Sequence, residues 1–193
     1  MNALKLRNLP TTKGSMLATA REHGRSLAET FLGVGTIILM DVSGSMHAQD
    51  THTGQSRWEL AADELAQLQE NLPGKIALVC FSDITTFCPS GMPVGAGGGT
   101  MLAEALETVK VADVPGVRFI VISDGQPQSP ERALTVASTF RNKIDVIYVG
   151  PEERPMGRDF LHRLAQASGG ITVTADKVKA LAETATRMIA ATA

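Results

Sequence analysis

The chain has 193 residues, 44% of them hydrophobic, which is enough for one well-buried core, so we expect a single globular domain. Its net charge is −2, and lysine and arginine are scattered without a basic run, so the sequence lacks the charge pattern of a nucleic-acid-binding protein. Residues 1–13 contain no continuous apolar stretch, so we expect no secretory signal, no membrane-spanning helix and a cytoplasmic location.

An amphipathic segment, residues 15–31, precedes the first apolar run and predicts one N-terminal helix that packs on the domain. We therefore divide the chain into an N-terminal extension with a helix, residues 1–33, and a main domain, residues 34–193. The sequence assigns no role to this helix.

Short apolar runs alternate with longer amphipathic segments in the main domain, which indicates β-α units and a mainly parallel sheet. Six strands are predicted, at residues 35–41, 75–81, 85–88, 117–123, 144–149 and 171–173. Helices are predicted at residues 57–71, 100–111, 130–141, 158–167 and 176–191. The first of these helices starts with a capping box, because Ser56 is followed three residues later by Glu59.

The connection after the second strand is too short for a crossover helix. The third strand should therefore pair antiparallel with the second through a turn at Ser82 and Asp83, and lie at the sheet edge. Cys80 and Cys88 lie on these two strands and could approach each other. They lack zinc-site spacing and are too few for a disulfide framework, so we expect two reduced, packed thiols.

The most informative motif is Asp41-Val42-Ser43-Gly44-Ser45, which directly follows the first apolar strand. It places one carboxylate and two hydroxyl groups at the end of a buried strand. Magnesium and calcium prefer such hard oxygen ligands, so the motif predicts a cation site. Asp, Ser and Gly are also ordinary turn formers, and the alternative is a loop that only terminates the strand.

Two later segments favour the cation site. Gly97–Gly99 precede Thr100, which we expect to begin a helix, and Asp124 follows the fourth apolar strand. If the strand order is 3-2-1-4-5-6, Asp41 and Asp124 leave adjacent strands at the switch point of the sheet, where ligands bind in such folds. Thr100 could instead only cap its helix. The glycines could approach phosphate, but no lysine follows them as a P-loop requires.

At these residues the sequence resembles the von Willebrand factor type A domain with its metal-ion-dependent adhesion site. Asp41, Ser43 and Ser45 match the family's D-x-S-x-S pattern, Thr100 matches its isolated threonine, and Asp124 matches its aspartate after the fourth strand. The resemblance covers residues from about 35 to 191. It implies a three-layer, doubly wound, Rossmann-like α/β fold with six mainly parallel strands in the order 3-2-1-4-5-6.

The resemblance also implies a role for each site residue. The hydroxyl groups of Ser43, Ser45 and Thr100 would bind Mg2+ directly, with Ca2+ or Mn2+ as alternatives, while Asp41 and Asp124 would act largely through bound water. The usual ligand in the family is a Glu or Asp carboxylate of a partner protein. Resemblance to stand-alone prokaryotic members adds an AAA+ ATPase as a partner class.

Three functions remain open from the sequence. The leading one is a non-enzymatic, metal-dependent protein-binding module. The second is a Mg2+-dependent phosphohydrolase with Asp41 as nucleophile, which is disfavoured because Ser43 stands where such enzymes place a general acid. The third is a scaffold protein whose loops the metal only stiffens.

Other side chains near the motif have ordinary alternatives. His47 and His52 could help to recognise an acidic ligand at the rim of the site or bind a transition metal, although such histidines are usually solvated. Met46 and Met92 could form an apolar rim, although burial is the commoner outcome. The predicted last helix, from Asp176, moves in related domains, and the sequence leaves open whether it does so here.

Overall fold

The structure is a computed structural model that describes residues 9–51, 54–95, 97–125, 127–151 and 155–174. Its centre is a six-stranded sheet in the order β3-β2-β1-β4-β5-β6, in which β3 is antiparallel to β2 and the other pairs are parallel. The predicted fold class and strand order are confirmed. The strands are β1 Thr36–Asp41, β2 Ile76–Phe81, β3 Thr85–Phe87, β4 Arg118–Ser123, β5 Ile144–Tyr148 and β6 Thr172–Thr174.

Helices cover both faces of this sheet, which explains why the central strands are almost continuous apolar runs. One face packs against α1, α4, α5 and α6, and the other against α3. Each face has its own core cluster: the first lies under α1, α4, α5 and α6, and the second lies under α3. In β1, Ile37 and Leu39 belong to the first core cluster, and Ile38 and Met40 belong to the second. The helices are α1 Met16–Glu22, α2 Leu27–Phe31, α3 Arg57–Asn71, α4 Leu102–Val109, α5 Pro130–Ser138 and α6 Pro155–Ala167.

The prediction of one N-terminal helix is wrong, because the structure has two short helices, α1 and α2. Gly24 lies between them with φ +62°, a left-handed conformation that ends a helix. Ser26 then begins α2 with a capping box, in which its hydroxyl accepts from Glu29 N–H while the Glu29 carboxylate accepts from Ser26 N–H. These local signals divide the amphipathic segment.

The prediction that Thr100 begins a helix is also wrong, because α4 begins at Leu102. The backbone around Thr100 bonds to neighbouring loops instead. The N–H of Met101 donates to the carbonyl oxygen of Ser82 at 3.0 Å, and the carbonyl oxygen of Thr100 accepts from Gln128 N–H at 3.1 Å. Thr100 therefore lies in a loop that the end of β2 and the residues after β4 hold in place.

Two further boundaries differ from prediction. Helix α6 begins at Pro155, earlier than residue 158, and α5 ends at Ser138, before residue 141. The early end of α5 follows from Asp113, whose carboxylate accepts the backbone N–H groups of Arg141 and Asn142. The predicted last helix, residues 176–191, and His52 lie outside the described residues.

The register of the sheet places the motif. Asp41 is opposite Phe81 of β2, and Met40 is opposite Ile122 of β4. Asp41 and the residues that follow β4 consequently lie side by side at the carboxyl ends of two adjacent parallel strands, the edge of a doubly wound sheet where ligands bind.

Candidate metal centre

Asp41 is the last residue of β1 and is fully buried, with 0% of its surface exposed. Its Oδ1 accepts the backbone N–H of Ser43 at 2.9 Å, and its Oδ2 accepts the hydroxyl of Ser123 at 2.6 Å. Burial raises the pKa of Asp41, hydrogen bonds from Ser123 and Ser43 oppose the increase, and the charge of Asp124 adds to it. The carboxylate is therefore held in one orientation by β4 and by its own loop.

The hydroxyl groups of the motif connect Ser43 and Ser45 with Asp124, the residue that follows β4. The Oγ atoms of Ser43 and Ser45 are 3.2 Å apart, and the Ser45 hydroxyl donates to Oδ1 of Asp124 at 2.9 Å. The 3-10 turn Gly44–His47 holds Ser45 in this position. Because Ser43 is buried and Ser45 is exposed, this row of oxygen atoms opens to solvent at Ser45.

Thr100 belongs to a loop that packs against the motif. The N–H of Gly44 donates to the carbonyl oxygen of Gly98 at 3.3 Å, and the N–H of Gly97 donates to that of Val42 at 3.0 Å. Gly97 and Gly98 have φ values of +97° and +85°, which favour glycine. The glycines thus allow the Thr100 loop to approach the Asp41 loop closely.

Asp83 lies in the turn between β2 and β3, as predicted. It also makes a hydrogen bond to the Thr100 loop that the sequence did not indicate. Its Oδ1 accepts the backbone N–H of Gly99 at 2.8 Å. A side chain at Gly99 would meet both Asp83 and the amide nitrogen of Gln128. Asp83 therefore holds the Thr100 loop from the side of the sheet edge.

Arg57, the first residue of α3, is a site residue that the sequence motif does not include. Its side chain is 2% exposed, although arginine is rarely buried unless it is paired. Nη1 donates to Oδ2 of Asp124, while Nε donates to Oδ1 of Asp50 at 2.8 Å and Nη2 to Oδ2 of Asp50. Burial acts to lower the pKa of Arg57, but the hydrogen bonds and charges of Asp50 and Asp124 outweigh it and raise the pKa.

One sequence signal could have indicated Arg57. It follows the cap residue Ser56, so its cation lies in the first turn of a helix, where the helix dipole disfavours positive charge. A buried cation at that position requires nearby carboxylates to compensate. The two carboxylates, Asp50 and Asp124, are 7 and 67 residues away along the chain, and the second pairing depends on the tertiary fold.

The donor set fits a hard divalent cation. Ser43, Ser45 and Asp124 supply hydroxyl and carboxylate oxygens in one connected row, and the Asp41 carboxylate, which accepts the Ser43 N–H, lies beside it. These are ligand types that Mg2+, Ca2+ and Mn2+ accept. Among the described residues, no group of three or more His, Cys, Asp or Glu side chains is placed to hold a metal ion. A cation at this site would therefore depend on the hydroxyl groups as well as on the two carboxylates.

The neighbouring side chains have different environments. His47 and Met92 are exposed, and Met46 is fully buried in the second core cluster. Cys80 and Cys88 are free, buried thiols whose sulfur atoms are 3.5 Å apart. Met46 therefore anchors the turn Gly44–His47 in the core and does not form an apolar rim around the site.

Comparison with known proteins gives a structural relationship. No protein-family model matches the chain, and no curated protein matches it in sequence. An aerotolerance-related membrane protein from Bacteroides fragilis superposes with a TM-score of 0.63 at 18% identity, over 81% of this chain and 98% of its own. A von Willebrand factor type A protein from Catenulispora acidiphila superposes with a TM-score of 0.57 at 17% identity, over 81% and 42%.

A third solved structure is proximal thread matrix protein 1 of the mussel byssus, in which zinc occupies the metal-ion-dependent adhesion site (MIDAS) motif. It superposes with a TM-score of 0.50 at 18% identity, over 86% of this chain and 50% of its own. These similarities and the strand order identify the architecture: the chain has the von Willebrand factor type A fold. Within the described ranges, none of the helices has both the length and the apolar character needed to span a bilayer.

Proposed function

We propose that the protein is a metal-dependent protein-binding module that docks an acidic side chain of a partner on a divalent cation. The observation that carries this proposal is the row of oxygen atoms formed by Ser43, Ser45 and Asp124, with the Asp41 carboxylate beside it. Asp41 is tied to this row because its Oδ1 accepts the backbone N–H of Ser43. These four residues and Thr100 would hold Mg2+, with Ca2+ or Mn2+ as alternatives. The zinc-occupied site of the mussel protein supports a divalent cation at this position of the fold.

The chemistry of the row explains why a carboxylate is the proposed ligand. Hydroxyl groups are neutral, so a cation bound partly by Ser43, Ser45 and Thr100 keeps more positive charge than one surrounded by carboxylates. The row opens to solvent at Ser45, which leaves room for an outside ligand. A Glu or Asp side chain of a partner would compensate the remaining charge.

The geometry disfavours the phosphohydrolase alternative, and we propose that the protein is not an enzyme. A nucleophilic Asp41 would have to be reached by a phosphoryl group, but the residue is fully buried and its carboxylate is held by hydrogen bonds from Ser43 N–H and the Ser123 hydroxyl. Ser43 occupies the position of the general acid, and a hydroxyl group is a poor acid near neutral pH. Lack of phosphate release from p-nitrophenyl phosphate in the presence of Mg2+ is the expected result.

The proposal has a finer part that concerns the partner. Resemblance to stand-alone prokaryotic members of the family supports a cytoplasmic adaptor or subunit of an AAA+ ATPase-linked assembly. A partner of this class would have to present an exposed Glu or Asp to the metal-binding edge of the sheet.

The test is affinity purification from the native cell with the intact chain and the Asp41→Ala variant, each with Mg2+ and with EDTA. A partner held through the metal should be captured only by the intact chain with Mg2+. The matched control is Asp159→Ala, because Asp159 is exposed on α6, and it should capture the same partner. Capture that survives both EDTA and Asp41→Ala would contradict the metal bridge.

The scaffold alternative predicts a different result from the same proteins. Mg2+ would raise the melting temperature of the intact chain, because binding to the folded state stabilises it, but no captured protein would depend on Mg2+. A large thermal shift without metal-dependent capture would therefore replace docking by a structural role for the ion.

A further inference from the structure

Arg57 is a fixed positive charge inside the candidate metal centre. It is almost completely buried, and one edge of its guanidinium donates to Oδ2 of Asp124. The other oxygen of that carboxylate, Oδ1, accepts the hydroxyl of Ser45, a proposed metal ligand. The guanidinium and the row of metal-binding oxygens therefore share the two oxygens of Asp124.

We infer that Arg57 is a positioning residue and built-in counter-ion of the metal centre, which competes electrostatically with the divalent cation for Asp124 and so lowers metal affinity while favouring an anionic ligand. This inference rests on the metal-binding part of the proposed function. It goes beyond that proposal because it assigns the balance between metal affinity and ligand affinity to one residue.

The charges explain the direction of both effects. Asp41, Asp124 and Arg57 are buried, and together they carry a net charge of −1. A divalent cation would change this to +1, which attracts a carboxylate. Without the guanidinium the same centre would change from −2 to 0, so it would attract the cation more strongly and the carboxylate less strongly.

Asp50 offsets the positive charge of Arg57 only in part. It pairs with Arg57 through two hydrogen bonds, but its side chain is 38% exposed, so water screens its charge more than that of buried Asp124. Asp50 also has a mechanical effect. Its pairing with Arg57, together with the hydrogen bond that Arg57 Nη1 donates to the carbonyl oxygen of Ser45 at 3.4 Å, ties the loop between Ser45 and Asp50 to the start of α3.

The test compares Arg57→Met with Arg57→Lys. The first variant removes the positive charge, and the second keeps the charge but lacks the planar guanidinium that pairs with two oxygens at once. Mg2+ affinity is measured by calorimetry on the full chain, and melting temperature with and without Mg2+. Arg57→Met should melt lower without metal, show a larger Mg2+-induced increase in melting temperature, and bind Mg2+ about tenfold more tightly. Arg57→Lys should bind Mg2+ nearly as the unmodified chain does.

Arg118→Met is the matched control, because Arg118 also lies beside a buried aspartate, Asp145, but at the opposite end of β4. It should leave Mg2+ affinity unchanged. A residue with only a structural role would not increase metal affinity when it is removed, so the sign of the change separates the two accounts.

Each outcome decides the inference. If the unmodified chain binds Mg2+ and Arg57→Met binds it equally or more weakly, the inference fails and the proposed function stands. If neither chain binds Mg2+ or Mn2+, both fail. If Arg57→Met does not fold without metal, saturating Mg2+ or Mn2+ should refold it, because the ion replaces the lost counter-ion. A chain that stays unfolded under those conditions would overturn the inference.

Discussion

At the scale of single residues, the candidate site combines side chains that the sequence indicates with others that it does not. Asp41, Ser43 and Ser45 could be predicted because one short motif after an apolar strand contains them all. The pairing of Arg57 with Asp124 could not be assigned, because it spans 67 residues and exists only in the folded chain. Ser123 ends the predicted fourth strand, and no local pattern indicates that its hydroxyl fixes the carboxylate of Asp41.

Ser123→Ala should weaken Mg2+ binding by about tenfold or more, because groups that orient a metal-binding carboxylate typically contribute this much to affinity. Asp41 would lose the 2.6 Å hydrogen bond to its Oδ2, and its buried carboxylate would favour the protonated form that binds no metal. Calorimetric titration with Mg2+ at pH 7 measures the change.

Ser138→Ala is the control for Ser123→Ala, because Ser138 is exposed at the end of α5 and bonds only within that segment in the structure described. It should leave Mg2+ affinity unaltered. Equal affinities for Ser123→Ala and the unmodified chain would show that Ser123 has no part in orienting Asp41.

At the scale of helices and strands, the sequence predicted which elements exist better than where they end. Continuous apolar runs identified the strands, because both faces of the central strands are covered. Boundaries failed where tertiary hydrogen bonds compete with helical ones, as at Thr100, whose carbonyl oxygen accepts from Gln128, and at Arg141, whose N–H donates to Asp113. These partners are distant in sequence, so local patterns do not reveal them.

Asp113 provides a prediction at this scale, because it connects the end of α4 with the segment between α5 and β5. Its carboxylate is 4% exposed and accepts from Lys110 Nζ and from the backbone N–H groups of Arg141 and Asn142. Burial opposes ionisation, but these hydrogen bonds outweigh it and lower the pKa of Asp113 from 3.8 to about 2.

Asp113→Asn should reduce the free energy of unfolding by about 2 kcal/mol at pH 7, since a depressed pKa stabilises the folded state. A folded-state pKa below the unfolded value means that this contribution is present above the unfolded pKa and is lost as pH falls toward 2. The difference between variant and unmodified chain should therefore shrink to roughly half by pH 3. Urea unfolding at both pH values measures it, and a difference independent of pH would contradict the account.

At the scale of the whole molecule, topology brings the site together. Segments that begin at Asp41, at the glycines before Thr100, and at Asp124 meet at one edge of the sheet because β1 and β4 are adjacent and parallel. The predicted strand order 3-2-1-4-5-6 therefore accounts for the meeting of these three segments, and the five-residue metal site stays a prediction. The N-terminal segment also joins this body, since Met16 of α1 belongs to the core cluster on one face of the sheet.

The central claim is that hydroxyl oxygens of this site hold a divalent cation. Calorimetric titration of Mg2+, and of Mn2+ in parallel, into the unmodified chain and into Ser43→Ala tests it most directly, because the variant removes one proposed hydroxyl ligand and leaves both carboxylates. We expect one equivalent of bound cation in the unmodified chain and binding reduced at least about tenfold in the folded variant. No binding by the unmodified chain, or equal binding by both, would contradict it.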